Sequence, residues 1–169
     1  SSDLIQGAKF REIIGVLGST FKQMYKSAIT IIAIVALAKV MGYSGMIKSI
    51  SIVLVAATGR FYPLIAPIIG ALGTFVTGSD TSSNVLFGGL QVEVAKSLGL
   101  NPYWLAAANT GGATAGKMIS PQSIAVATAA TGLVGQEGKI LNSTLKFCIV
   151  YVIVLGIIAY FAGPMFGFN

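Results

Sequence analysis

The stretch that decides the fold is "PLIAPIIGALGTFVTGSDTSSNVLFGGLQVEVAKSLGL", residues 63–100. Two apolar pieces of helical length enclose "GSDTSSN" at 78–84, a run of small and polar residues containing one acid. In water this centre would be an ordinary loop. In lipid its amides and carbonyls go unpaired unless they are buried in protein or face a water-filled cavity. Composition identifies the solvent: 54% of the residues are hydrophobic, 9% are charged and the mean hydropathy is +0.83, whereas a soluble domain carries about 25% charged residues. The chain therefore reads as an all-α integral membrane protein, a polytopic helical bundle. Residues from about 61 to 99 read as a re-entrant hairpin, down to 78, with its tip at 79–84 and its return to about Leu98, so that Glu93 and Lys96 sit near the mouth.

The pattern repeats at once. "NPYWLAAA", 101–108, reads as a short helix anchored at an interface by Tyr103 and Trp104. Asn109 to Ser120 is small, polar and glycine-rich, and "PQSIAVATAATGLV" starts a new helix with Ser120 as N-cap and Pro121 at its first position. This makes a discontinuous, broken transmembrane helix over about 101–135. "QEGKILNST" reads as a polar loop, followed by a last transmembrane helix at about 144–163 whose apolar core, Phe147 to Gly163, approaches unbroken the roughly 20 residues of one crossing. Upstream, one helix is expected from Lys26 to about Met41, with Lys39 snorkelling, until Gly42 and Gly45 break it. Ser49 to Thr58 is too short to span upright and reads either as a tilted continuation or as a helix lying partly in the membrane. Arg60, Phe61, Tyr62 and Pro63 read as an interfacial re-entry point.

Residues 1–26 read as an amphipathic, interfacial arm with Ile13, Ile14, Leu17 and Phe21 on its apolar side, and 27–169 as the membrane domain. Lys9, Arg11, Lys22 and Lys26 put the arm in the cytoplasm by the positive-inside rule. The net charge of +6 is scattered, with no aromatic-interleaved basic cluster, so nucleic acid is not an expected partner. Cys148 is the sole cysteine and histidine is absent, which rules out an intrachain disulfide and a histidine-based triad and leaves no donor set for zinc. Cys148 reads as a small apolar residue against lipid or a neighbouring helix. Asn142-Ser143-Thr144 spells a glycosylation acceptor that carries little weight without a secretory context. The opening Ser1-Ser2, without methionine or a signal-peptide pattern, suggests a fragment or a processed chain.

Gly111 to Lys117 satisfies seven positions of the phosphate-binding loop G-x-x-x-x-G-K-[ST], but the eighth is Met118, which has no hydroxyl for magnesium. Gly112 and Gly116 also spell G-x-x-x-G, a close-packing motif. Packing does not account for Asn109, Thr110, Thr114 and Ser120 gathered around them, which suit a polar site in a tightly packed wall. Two interrupted hydrophobic segments are the sequence pointer to a secondary transporter's substrate site. A helix N-terminus offers unpaired amides and about half a positive charge, enough to hold a carboxylate without burying a full cation. Asp80, an acid at membrane depth, is a functional candidate whose bland alternative is helix capping. Lys117, the only basic residue between Lys96 and Lys139, suits a substrate carboxylate or Asp80, with a snorkelling lysine as its alternative.

Through "GALGTFVTGSDTSSNVLFGGLQ", 70–91, and "AANTGGATAGKMISPQSIAVATAATGLVG", 107–135, the chain resembles the L-lactate permease family, which includes glycolate permeases. The resemblance is weak from about Lys26, strong from Gly70 to Gly135, and fades beyond. Family members are several times longer, so it implies the C-terminal portion of a permease, completed by a missing N-terminal half or an oligomeric partner. It further implies proton-coupled symport of L-lactate, glycolate and related 2-hydroxymonocarboxylates by a multi-pass protein of the bacterial inner membrane, without a cofactor. Carried onto the two matching motifs, it implies substrate-binding roles for Ser79, Thr81, Ser82, Ser83, Asn84, Asn109, Thr110, Lys117, Ser120 and Gln122, and proton coupling for Asp80. A channel-type or structural membrane subunit without coupled transport is the alternative; it would more naturally carry rings of like charge or a carbonyl filter. A nucleotide-dependent enzyme would need a magnesium-binding hydroxyl and a second acidic element.

Overall fold

A computed structural model describes residues 10–167. They form α1 (Phe10–Tyr43), α2 (Met46–Thr58), a short 3-10 turn (Gly59–Phe61), α3 (Tyr62–Thr77), α4 (Asp80–Leu98), α5 (Pro102–Lys117), α6 (Pro121–Thr131) and α7 (Glu137–Met165), with no strand among the described residues. Prolines open α5 and α6 where a missing N–H costs nothing.

Helix α3 is central and packs on α4, α5 and α7; α5 in turn touches α4 and α7, while α1 and α2 lean on α4 and α6 on α7. One core cluster gathers Tyr62, Ala66, Leu90, Val94, Ala95 and Leu105. A second joins Ala71, Ala115, Cys148 and Val152, so Cys148 faces neighbouring helices.

The α3–α5 contact is made backbone to backbone. A Cβ at Gly112 would stand 1.8 Å from the Pro67 carbonyl oxygen, one at Gly116 2.2 Å from that of Ala71, and one at Gly70 1.9 Å from that of Asn109. Gly112 and Gly116 lie one turn apart and receive Pro67 and Ala71, also one turn apart, so the G-x-x-x-G motif does serve close packing. The outer surface is apolar: Val76 is 80% exposed and Phe147 70%. Two stretches, Met46–Thr77 and Glu137–Met165, are long and apolar enough to cross a membrane.

Several boundaries differ from expectation. Helix α1 runs without interruption through Lys26 to Tyr43. Ile14 and Leu17 are exposed, whereas Lys9 and the side chains of Arg11, Ile13, Phe21, Lys22 and Lys26 lie outside the described residues. Segment 49–58 belongs to α2, a helix of its own, separated from α1 by Ser44–Gly45 and joined to α3 through the 3-10 turn. Most of "QEGKILNST" is the opening of α7 rather than a loop. The reason is the inward stripe of α7, which already starts at Glu137, Ile140, Leu141 and Thr144 before continuing through Cys148, Val152 and Gly156; steps of three and four residues keep one helix face against its neighbours.

The glycine seam predicts a graded response to an added methyl. Gly70→Ala and Gly112→Ala should each destabilise the detergent-extracted protein by ~1–3 kcal/mol or more, as in an overpacked core, and so lower its thermal unfolding midpoint. Gly138→Ala, where nothing lies within 4 Å of the new carbon, should leave the midpoint unchanged or raise it slightly, as expected for Gly→Ala in a helix.

Candidate functional site

The helices are interrupted at 78–79 and at 118–120, shorter breaks than the sequence suggests. In the first, Ser79 is extended and its Oγ accepts from the Ser82 N–H at 3.3 Å, so the helix already begins at Asp80, and Thr81, Ser82, Ser83 and Asn84 form its first turn and a half. Ser79 is thus the cap, and Asp80 occupies the first helical position, where a carboxylate interacts favourably with the helix dipole. In the second, Asn109 to Lys117 is helical rather than loop. Asn101 starts this helix by accepting from the N–H groups of Tyr103 and Trp104 at 2.9 and 3.3 Å. Of the three glycines that weaken its intrinsic preference, Gly112 and Gly116 are seated on the α3 backbone and Gly111 lies against Leu155 of α7, so tertiary packing overrides propensity. Ser120 does cap α6, its Oγ accepting from the Ser123 N–H at 3.2 Å.

The two breaks touch. Lys117 Nζ donates to the carbonyl of Gly78, and Gly78 lies against Gln122, whose Oε1 would be 1.9 Å from a Cβ there. Gly78 also has φ of +70°, a left-handed turn that suits glycine. Lys117 therefore brings its charge to the negative end of α3 and is bonded there, not to Asp80. Asp80 is half-buried, and its Oδ1 is enclosed with no hydrogen-bond partner among the described residues. Ser82 and Ser83 are buried, and Ser83 Oγ donates to the Gly70 carbonyl at 2.9 Å, while Thr81 and Gln122 keep exposed surface.

Beside the first break a chain of polar side chains crosses three helices. Tyr62 Oη lies 2.9 Å from Gln91 Oε1, Gln91 Nε2 lies 3.1 Å from Asn109 Oδ1, and Asn109 Nδ2 lies 2.8 Å from Asn84 Oδ1. Thr110 Oγ1 reaches the same Asn84 oxygen at 3.1 Å. Tyr62, Gln91 and Asn109 are fully buried. Asn84, Asn109 and Thr110 were expected at the site, but Gln91 and Tyr62 were not. Gln91 was findable as the lone uncharged polar side chain in the run "VLFGGLQVEV", seven residues and so two turns from Asn84. Within the expected re-entry point the two aromatics part company: Tyr62 is buried, whereas Phe61 is exposed and stacks on Tyr160 with ring centroids 5.8 Å apart. Trp104 likewise turns inward in part, donating from Nε1 to the Ala159 carbonyl at 2.8 Å, and leaves Tyr103 as the exposed aromatic.

A cavity of about 510 Å³ opens at the other end of α3, α4 and α5, lined among others by Arg60, Pro63, Leu98, Trp104 and Tyr160. None of the sequence-expected site residues lines it. Chemistry and concavity are therefore separated: the polar groups and helix termini gather at and beside the breaks, away from this cavity.

Residues 2–166 match the L-lactate permease family. The chain belongs to that family. Over 165 residues, 98% of this chain and 29% of the relative, it is 44% identical to the glycolate permease GlcA of Escherichia coli strain K12. It is 60% identical over 104 residues, 62% of this chain and 22% of the relative, to an L-lactate permease of Streptococcus iniae. An L-lactate permease of Bacillus subtilis strain 168 is 39% identical over 165 residues, again 98% of this chain and 29% of the relative. The chain thus spans less than a third of the length of these permeases. No solved structure matches it. Family and apolar exterior together make it a membrane protein.

In this member of the L-lactate permease family, the phosphate-loop spelling at 111–117 is the end of a helix, with its amides directed along the helix to carbonyls one turn earlier. Those amides are unavailable to a phosphate, whichever residue follows. Met118→Thr should accordingly create no nucleotide affinity in a fluorescent-nucleotide titration, and micromolar binding by that variant would overturn the assignment of 111–117 as packing helix.

Proposed function

We propose that this chain forms part of a secondary transporter that carries L-lactate, glycolate and related small 2-hydroxymonocarboxylates across the bacterial inner membrane by proton symport. The observation that carries the proposal is the meeting of two helix N-termini, that of α4 at Asp80 and that of α6 at Gln122 and Ser123, across Gly78. Each terminus supplies amides and partial positive charge to an anion, and the family relatives are named for lactate and glycolate. Here α3 and α4 form the hairpin and α5 and α6 the broken helix. At 1.5 Å per residue α6 is about 16 Å long, roughly half of the ~30 Å hydrocarbon core, so the second break falls near the midplane if the far end of α6 is interfacial. The N-terminal arm lies at the cytoplasmic interface, and the remainder of the permease completes the walls of the site.

In this reading Asp80 exchanges the coupling proton. Its enclosed Oδ1 has no partner among the described residues, and an enclosed carboxylate oxygen left unbonded is relieved by protonation or by a ligand that donates to it. The carboxylate of the substrate rests on the α4 and α6 termini, with Ser79, Thr81, Ser82, Ser83, Thr110, Ser120 and Gln122 supplying or holding polar groups around it. Lys117 adds positive charge while tying the two breaks together.

Asp80→Asn in the intact permease should abolish pH-gradient-driven lactate uptake into vesicles while leaving membrane abundance unchanged. As Ser79 holds the cap, the purely structural cost of removing the Asp80 charge is only the ~0.3–1 kcal/mol of a dipole interaction; wild-type gradient dependence in this variant would remove Asp80 from the coupling step. Lys117→Gln should raise the lactate KM about tenfold with partial activity retained, since a charge-assisted contact is worth roughly 1.5–3 kcal/mol and the helix termini remain. An unchanged KM would reduce Lys117 to a structural clasp.

A further inference from the structure

Tyr62, Gln91, Asn109 and Asn84 form a chain with a direction, and the direction follows from Tyr62. Its side chain is fully buried and, among the described residues, its hydroxyl meets one partner, the Gln91 amide at 2.9 Å. If the Gln91 amide were turned around, its NH2 would donate to the phenol and the phenol's own proton would be left buried without an acceptor, a cost of about 1–3 kcal/mol. Tyr62 therefore donates, and Gln91 presents Oε1 to it. That turns Gln91 Nε2 toward Asn109 Oδ1 at 3.1 Å, which in turn directs Asn109 Nδ2 to Asn84 Oδ1 at 2.8 Å. The far end imposes no direction of its own, because Thr110 Oγ1 lies 3.1 Å from Asn84 and 2.9 Å from the Ala106 carbonyl, and its single proton serves either.

The outcome is a set orientation at Asn84. Its oxygen accepts from Asn109 and Thr110, and its NH2 group donates to no protein group among the described residues. Asn84 is half-buried and lies one turn along the same helix face from Asp80. We propose that Tyr62 and Gln91 are positioning residues of the transport site: through Asn109 they hold Asn84 with its NH2 group turned outward as a neutral donor to the carboxylate of a 2-hydroxy acid. This rests on the transport reading above. In a reversed chain Asn84 would offer its oxygen instead and repel that carboxylate.

The test compares Tyr62→Phe, Gln91→Leu and Gln91→Glu in the intact permease, reconstituted in vesicles and assayed with labelled L-lactate, with membrane abundance measured alongside. Tyr62→Phe removes the group that sets direction and should raise the lactate KM severalfold while Vmax per inserted protein stays within about twofold. Gln91→Glu, assayed at a pH high enough to ionise the buried carboxyl so that it only accepts, forces the Asn109 amide to turn and should raise KM at least tenfold, about 1.4 kcal/mol, relative to wild type at the same pH. Gln91→Leu, which deletes the link without reversing it, should fall between wild type and Gln91→Glu. Equal KM values in wild type and Tyr62→Phe, or equal effects of Gln91→Leu and Gln91→Glu, would overturn the positioning role. Should the Gln91 variants fail to insert, Tyr62→Phe decides alone, since it removes one oxygen and keeps the buried ring. If the wild-type permease takes up no lactate, the transport reading falls and this inference with it; normal wild-type uptake with unmoved KM in the variants sinks the inference only.

Discussion

Everything in this arrangement depends on the absence of side chains where α3 crosses α5. With Gly112 and Gly116 against the carbonyls of Pro67 and Ala71, and Gly70 against that of Asn109, the two backbones are in contact. In lipid there is little hydrophobic gain from joining two apolar helices, so close backbone packing and interhelical hydrogen bonds must hold them. The seam supplies the first and makes room for the second: Asn109, whose carbonyl rests on Gly70, also carries the amide that links Gln91 to Asn84. Wider spacing would pull those amides out of hydrogen-bond range.

The same closeness determines where the breaks come together. Helix α3 ends at Thr77 and α5 at Lys117, and the register of the seam brings these ends side by side, so that Gly78 meets both Lys117 and Gln122. Two residues in one break and three in the other suffice because each following helix is capped immediately, by Ser79 and by Ser120. The polar character of 78–84 and 109–120 therefore belongs mostly to helical faces, and the irregular backbone is confined to the joints.

Much of this was legible beforehand. The solvent, the helical class, the two interruptions, the Ser120 cap and the packing role of Gly112 and Gly116 all follow from local composition or from short motifs with a physical cause. The extent of the breaks was not legible, because glycine and asparagine carry a poor helical propensity that only a packed neighbour reverses, and no single sequence states what its neighbour is. The start of α7 was obscured by "QEGKILNST", whose polar residues fall on both faces of the helix: Lys139, Asn142 and Ser143 point outward, while Glu137 and Thr144 belong to the packed stripe. Tyr62 and Gln91 escaped for a related reason. Each is an isolated polar side chain in apolar surroundings, and its meaning lies in a partner 29 residues away.

Chain order gives the polar links a further significance during synthesis. Gln91 leaves the ribosome before Asn109, and Asn84 before both Asn109 and Thr110. Until α5 follows, α4 therefore carries two amides with three of their four hydrogen bonds not yet possible, and α3 presents a bare strip at Gly70, where Asn109 and Ala113 will pack. An apolar pair of helices could disperse in lipid at that stage. Here the Tyr62–Gln91 and Ser83–Gly70 hydrogen bonds already join α3 to α4, and α5 brings both the missing amide partners and the glycines that close the seam.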